Sequence, residues 1–382
     1  MRVLGLLSGT SHDGIDVVVV DFQETAGALR GSVLHEDSVP YDPDLRSRLV
    51  AALPPASTTF AEVCELDTLI GQAFARVAAD AAAAVGGVDA VCTHGQTVYH
   101  WVDGDHARGT LQIGQPAWIA EAVGAPVVSD VRIRDIAAGG HGAPLVSFLD
   151  ELLLRGRPGV TAALNLGGIA NMTVVGDQVS AYDIGPANAL VDAVIVAEEL
   201  DPRGYDTDAS VARTGAVDQE LLAALLADPY YALPAPKSTG KEHFHLDYVR
   251  AHTAGREIAT RDLVRTLTEL TVQTVARDVR SAGVGFLAVS GGGCHNPLIM
   301  DGLRTALPEV DVVLADELGA SVDSKEAILF ALIGWCTMHG VAAVLPAATG
   351  AREPRILGTI TPGAGLLRMP EPVEAVVSLV LS

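Results

Sequence analysis

The stretch that decides the fold is "LLSGTSHDGID", residues 6–16. The run before it, "VLGLL" (3–7), reads as a buried strand, and the run after it, "IDVVVVDF" (15–22), reads as a second strand rich in β-branched residues. A plain hairpin turn needs one glycine and one Asn or Asp. This turn holds Gly9, Thr10, Ser11, Asp13, Gly14 and, one step on, Asp16. That is more polar chemistry than reversing a chain requires, although Ser, Asp and Gly are also ordinary turn residues.

The same layout returns further along. "VTAALNLGGIANMTVVGDQVSAYDIG" (160–185) reads as strand, Gly-rich turn, strand and third strand, with Asn165, Gly167, Gly168 and Asn171 around the turn. The letters of the two stretches barely match, but their order does, so two related half-domains are expected. A third Gly-rich turn, "SGGGCHN" (290–296), follows a strand and opens a helix. Glycines at such turns let backbone N–H groups approach an oxyanion, and a helix start adds its dipole. None of the three fits the P-loop or the dinucleotide-fold spacing. Helical patterns over 61–85, 141–156, 187–200, 216–228, 257–282 and 324–338 alternate with strands; 88–100 reads as a strand running into a polar loop, 109–132 as a short strand, a helix and another strand, and 311–316 as a strand. The class is α/β, with "LGTITPGAG" (357–365) left as a loop.

The chain has 382 residues, enough for two lobes of ordinary size, and is 49% hydrophobic with 4% aromatic residues. A net charge of −22 disfavours nucleic acid and anionic membrane surfaces as partners. The four cysteines, Cys64, Cys92, Cys294 and Cys336, are far apart and read as buried thiols of a reducing compartment. With no leader pattern and no apolar run of roughly 18 residues, a cytoplasmic protein is expected. Of 25 basic residues only Lys237, Lys241 and Lys325 are lysines, clustered in "PKSTGKE" (236–242) and "DSKEA" (323–327). That pattern suggests a compact ammonium is wanted there.

In sequence order, "GLLSGTSHDGID", "HGQTVYH", "LQIGQPAWIA", "GGHGAPLV", "LNLGGIANMT", "YDIGPANALVD", "PKSTGKE", "SGGGCHN" and "KEAILFAL" resemble the anhydro-N-acetylmuramic acid kinases, from about position 5 to about 365. The resemblance implies a two-lobed fold of the actin, hexokinase and Hsp70 type, built from RNase H-like repeats around a central ATP cleft. It implies lobe boundaries of 1–130, with 345–382 packing back on that lobe, and 131–344. It implies ATP and Mg2+, with Asp13 as metal ligand, and a small amino sugar as partner, no nucleic acid or membrane, and a homodimer as the assembly. Carried over by motif, Gly9, Thr10, Ser11, Asp13, Gly14 and Asp16 would bind ATP with Asn165, Gly167, Gly168 and Asn171. Gly291, Gly292, Gly293 and Asn296 would border the adenosine. Asp183 would be the catalytic base. His94, Gln96, Thr97, Asp130, Arg132 and Glu326 would line the sugar pocket.

Plainer readings stand beside these. Asp183 also reads as a loop aspartate, His94 as a buried structural histidine, Arg132 as half of a surface ion pair, and Glu326 as a carboxylate at a helix's positive end. Where the family usually has Gly, this chain has Ala187 and Ala209; where it usually has a small or apolar residue, this chain has His12. Ala187 is expected to disturb the loop beside Asp183, since Ala tolerates positive φ poorly. A kinase of the same fold for another sugar and a non-enzymatic ATP-binding scaffold are the other two functions the residues allow.

Overall fold

The computed structural model describes every residue except Asp105, Pro236, Lys241 and Asp323. The chain divides into two compact units. The first comprises residues 1–153, 318–320 and 324–382, and the second comprises residues 154–317 with Ser321 and Val322.

In the first unit, β1 (Arg2–Ser8), β2 (Gly14–Thr25) and β3 (Ala28–Pro40) form an antiparallel meander. Then β4 (Ala90–Asp103) pairs parallel with β1, β5 (His106–Ile113) folds back on β4, and β6 (Val127–Ser129) pairs parallel with β4. In the second unit, β7 (Thr161–Leu166), β8 (Ile169–Val175) and β9 (Val179–Pro186) form a second antiparallel meander. Two parallel strands, β10 (Phe286–Ser290) and β11 (Asp311–Leu314), extend it on the β7 side. The order β3-β2-β1-β4-β6 in one sheet and β9-β8-β7-β10-β11 in the other is therefore one order used twice, with the same strand directions. This is the repeat expected from the two Gly-rich stretches, of the RNase H-like kind that the family resemblance implies, and the fold is of the actin and hexokinase type.

The chain's last segment returns to the first sheet. Strand β12 (Thr359–Thr361) pairs antiparallel with β6, and β13 (Ser378–Leu381) pairs parallel with β3. The stretch 357–365 is thus partly a strand, because β6 offers it a free edge.

Burial explains the strand sequences. Val17 to Val20 of β2 are all buried, because helices cover the sheet on both faces and both sets of alternating side chains face apolar atoms. On one face lies the helix Phe60–Ala84, capped by Thr59 Oγ1, which accepts from the Glu62 amide at 3.1 Å. On β1 lies the helix Lys325–Met338, buried along its whole length except at Glu326. A Cβ at Gly5 would overlap the backbone of Ala327 and Ala331, so only glycine lets this helix rest on β1. That contact assigns 324–344 to the first unit, rather than to the second as the sequence suggested. The segment 131–153 also groups with the first unit. Buried Asp135 there accepts from Gly142 N and Thr349 Oγ1, and Asp150 pairs with Lys325 at 2.5 Å.

The second unit's core is organised by the helix Thr260–Ser281. Its buried threonines return their hydroxyls to the preceding turn, as Thr266 does to Asp262 O and Thr268 to Val264 O. Thr271 instead reaches out of the helix to the carbonyls of Pro186 and Ala187, just past the end of β9.

None of the four cysteines is in a disulfide. Cys92 and Cys336 are buried, as the sequence suggested, but Cys64 is exposed and Cys294 half-buried. Among the described residues no helix is long and apolar enough to cross a membrane.

Candidate active site

The turn between β1 and β2 turns its carbonyls inward. Gly9 O accepts from His12 N and from Gln96 Nε2 at 3.1 Å; Ser11 O and His12 O accept from the Arg46 guanidinium; Asp13 O accepts from Tyr41 N. With the carbonyls engaged from behind, backbone N–H groups are what this turn can offer an anion. Asp13 is exposed at its tip. Asp16 opens β2 half-buried and accepts from Ser38 Oγ at 2.7 Å.

Gln96 makes this arrangement possible. It is fully buried, and its amide joins four groups: Ser8 Oγ donates to Oε1 at 2.6 Å, Tyr41 OH to Oε1 at 3.4 Å, and Nε2 donates to Gly9 O and Thr97 O. Gln96 therefore props the turn, and the "HGQT" stretch, read from the sequence as a loop, continues β4. Neither Arg46 nor Tyr41 was singled out by sequence, and no local pattern marks them.

The turn between β7 and β8 is fastened differently. Gly168 O accepts from Ala187 N and Ala189 N, Gly167 O from Asn188 N, and Asn188 Nδ2 donates to Leu166 O and Gly167 O. The start of the helix Ala189–Ala197 thus holds this turn by its own backbone. Ala187 is not among the residues with positive φ, so the strain expected there is absent. Ala209 and His12 do adopt left-handed backbone, with φ of +54° and +57°.

Strand register brings four polar residues into one row. Ser290 on β10 pairs with Asn165 on β7, Asn165 with Asn171 on β8, and Asn171 with Asp183 on β9. Asp183 belongs to a strand, not to a loop. Its carboxyl pKa is raised, chiefly by desolvation and by nearby Glu242, against hydrogen bonds from the Thr239 amide and the Ser238 hydroxyl that lower it. A carboxylate of raised pKa is better matched to accept a proton near neutrality.

In the "SGGG" turn, Gly291 has φ +84°, and a Cβ there would overlap Asn165 and press on the Leu166 carbonyl. A Cβ at Gly293 would lie 2.6 Å from that of Leu166, whereas a Cβ at Gly292 meets nothing within 4 Å. Gly292 is therefore the turn's open face. Asn296 Oδ1 caps the helix Pro297–Ala306 by accepting from Leu298 N and Ile299 N. Its oxygen thus has a structural task at the helix start.

In the first unit, Arg132 Nε donates to His94 Nε2 at 2.8 Å. A guanidinium only donates, so His94 Nε2 must accept and the ring is neutral, with its Nδ1 proton given to Gly95 O. Burial, and then the charge of Arg132, hold the His94 pKa well below the ordinary value. Both ring nitrogens are engaged, and His94 holds the Arg132 guanidinium in place. Arg132 also donates to Gly142 O at 2.5 Å. Its pKa is lowered by burial, against the attraction of Glu326 and Asp135. Glu326 is exposed at its helix N-terminus, and its carboxyl is nevertheless raised, mainly by desolvation and also by Asp16. Thr97 Oγ1 accepts from Gln112. Asp130 is exposed with φ +53°, and desolvation raises its pKa. Lys237 and Lys325 are both buried beside carboxylates, Asp278 at 3.9 Å and Asp150 respectively. Lys241 lies outside the described residues.

The profile of the anhydro-N-acetylmuramic acid kinases matches residues 1–363. The chain belongs to the anhydro-N-acetylmuramic acid kinase family. An anhydro-N-acetylmuramic acid kinase of Streptomyces coelicolor is 51% identical over 97% of this chain and 96% of its own length. One from Rhodococcus erythropolis is 48% identical over 97% and 96%, and one from Caldanaerobacter subterraneus 35% identical over 94% and 96%. As a member of that family, this chain is a kinase.

Proposed function

We propose that this chain uses ATP and water to convert anhydro-N-acetylmuramic acid to N-acetylmuramic acid 6-phosphate and ADP in the cytoplasm. The observation that carries the mechanism is Asp183, a half-buried carboxylate of raised pKa ending a row of polar residues across the second sheet. Asp183 takes a proton from a water whose oxygen attacks the anomeric carbon. The C1–O6 bond breaks, its electron pair goes to O6, and O6 receives the γ-phosphoryl group as ADP leaves. The turn between β1 and β2 and the turn between β7 and β8 each offer backbone N–H groups to a phosphate, and the open face at Gly292 suits the adenosine. Arg132 and Glu326, with Thr97 and Asp130, hold the sugar, and His94 keeps Arg132 in place.

Magnesium travels with nucleotide phosphates and asks of the protein only one or two carboxylates beside them. Exposed Asp13 and half-buried Asp16 at the first turn fit that demand. There the metal would neutralise phosphate charge.

The test is ADP release from Asp183→Asn with anhydro-N-acetylmuramic acid, run beside N-acetylmuramic acid and levoglucosan. Turnover falls on the order of 10²–10⁴-fold while ATP binding is kept. In ¹⁸O-water the label appears at C1 and none in the phosphate. Near-normal turnover, or label in the phosphoryl group, overturns the mechanism. Gly292→Val folds, because its Cβ has open space, and loses ATP affinity; undiminished affinity removes that turn from the nucleotide site.

A further inference from the structure

The motif "PKSTGKE" has no task in the reaction as derived so far. Its described residues close around Asp183. Strand β9 is the edge of its sheet, and residues 237–239 run along that edge. Asp183 N donates to Lys237 O at 2.9 Å, Ser238 Oγ donates to Asp183 Oδ2 at 2.9 Å, and Thr239 N donates to the same oxygen at 3.0 Å. From the preceding turn, Tyr230 OH donates to the Asp183 carbonyl at 2.7 Å. The segment is itself anchored: Lys237 lies 4.8 Å over the Tyr230 ring and 3.9 Å from Asp278 on the buried helix Thr260–Ser281.

The grip is one-sided. Both hydrogen bonds fall on Oδ2, and among the described residues Oδ1 accepts none. We propose that Ser238 is a positioning residue of the reaction: with the Thr239 amide it fixes one carboxylate oxygen of Asp183, so that the other faces the water and takes its proton. This rests on the reading of Asp183 as the base. The same bond tunes the group. Desolvation and Glu242 push the carboxyl up, and the Ser238 and Thr239 bonds pull it down. Lys237 is matched by Asp278, and the Tyr230 phenol, its own pKa raised by burial, stays neutral. Loss of the Ser238 hydroxyl therefore raises the Asp183 pKa, and more alkaline solution is needed to keep the base ionised.

The experiment compares the pH dependence of kcat for the wild type, Ser238→Ala, Ser238→Thr and Asp183→Asn. Ser238 is exposed, so these substitutions leave the fold intact, checked by ATP affinity and thermal melting. In Ser238→Ala the acid limb moves up by on the order of one pH unit, the scale on which single hydrogen bonds shift a carboxylate. Ser238→Thr, which keeps a hydroxyl, restores the wild-type limb. An unmoved limb in Ser238→Ala, or a limb moved equally in Ser238→Thr, overturns the proposal. Asp183→Asn separates the two failures. If it keeps turnover, the base itself is misassigned; if it is inactive while the Ser238→Ala limb stays put, only the positioning role falls.

Discussion

The turn between β1 and β2 and the turn between β7 and β8 occupy the same place in the same strand order, yet different chemistry fastens them. In the first unit, side chains from distant segments hold the carbonyls: Gln96 from β4 and Arg46 from the helix Pro43–Ala52. In the second, the backbone N–H groups of residues 187–189 do most of that work, and one side chain, Asn188, assists. A repeated topology thus fixes where an anion-binding turn sits and leaves open what supports it. The difference follows from length. The first turn spans residues 9–13 and needs several braces, whereas the second has two glycines that one helix start can reach.

Gln96→Ala is the sharpest way to break this contrast. It strands the buried Ser8 hydroxyl, empties a fully buried side-chain site and leaves the Gly9 carbonyl with the His12 amide alone. An unsatisfied buried group costs about 1–3 kcal/mol, so with the lost packing the loss is about 3 kcal/mol by denaturant titration, with weaker ATP binding. Asn188→Ala removes two bonds, but Gly167 O keeps the Asn188 amide, so the cost is about 1 kcal/mol. If Asn188→Ala proves as damaging as Gln96→Ala, the backbone clamp is not what holds the second turn.

Much of this was legible in the sequence, for physical reasons. Alternation of apolar runs with Gly-rich turns marks strands and reversals locally, so the strands flanking both turns stood out, as did Asp183 before Gly185 and Pro186. The braces did not. Gln96 was legible as polar and near a glycine, but only the register between β1 and β4 reveals that it meets Ser8. His94 was ambiguous until the Arg132 bond fixed its tautomer. Strands β12 and β13 escaped notice because an edge strand is defined by the neighbour that accepts it.

The pair His94 and Arg132 gives the first unit a pH signature. His94 is held neutral when folded, with its pKa well below the ordinary 6.5. Below about pH 6.5 the unfolded chain gains a proton that the folded chain refuses, so stability falls as pH falls. One such group contributes up to about 1.4 kcal/mol per pH unit. Between pH 7 and 5.5, His94→Gln flattens the dependence of unfolding free energy on pH. Part of the slope stays, because His100 and His339 are also lowered by burial. A slope unchanged by the substitution means the ring is protonated in the folded state, and the Arg132 bond is then not made as described.

The smallest effect concerns backbone strain, which both units carry at non-glycine residues of positive φ, among them His12 in the first turn and Ala209 well away from the second. Asp208 and Ala209 are successive left-handed residues, with φ of +53° and +54°. Asp206 holds them there by accepting from Val211 N at 2.8 Å and Ala212 N at 3.0 Å. An alanine in that region costs about 1–2 kcal/mol that glycine escapes. Ala209→Gly also loses a buried methyl, about 0.8 kcal/mol, and loosens the unfolded chain by about 0.4–1 kcal/mol. The terms nearly cancel, so a shift within about 1 kcal/mol of zero is expected. Ala276, equally buried but in the interior of the helix Thr260–Ser281, provides the reference. There the same methyl is lost with no strain to relieve, and a helical glycine costs about 1 kcal/mol. Ala276→Gly therefore destabilises by about 2 kcal/mol, and the gap between the two variants reads the strain at Ala209 directly. Equal losses in the two would mean that the left-handed backbone at Ala209 carries no strain.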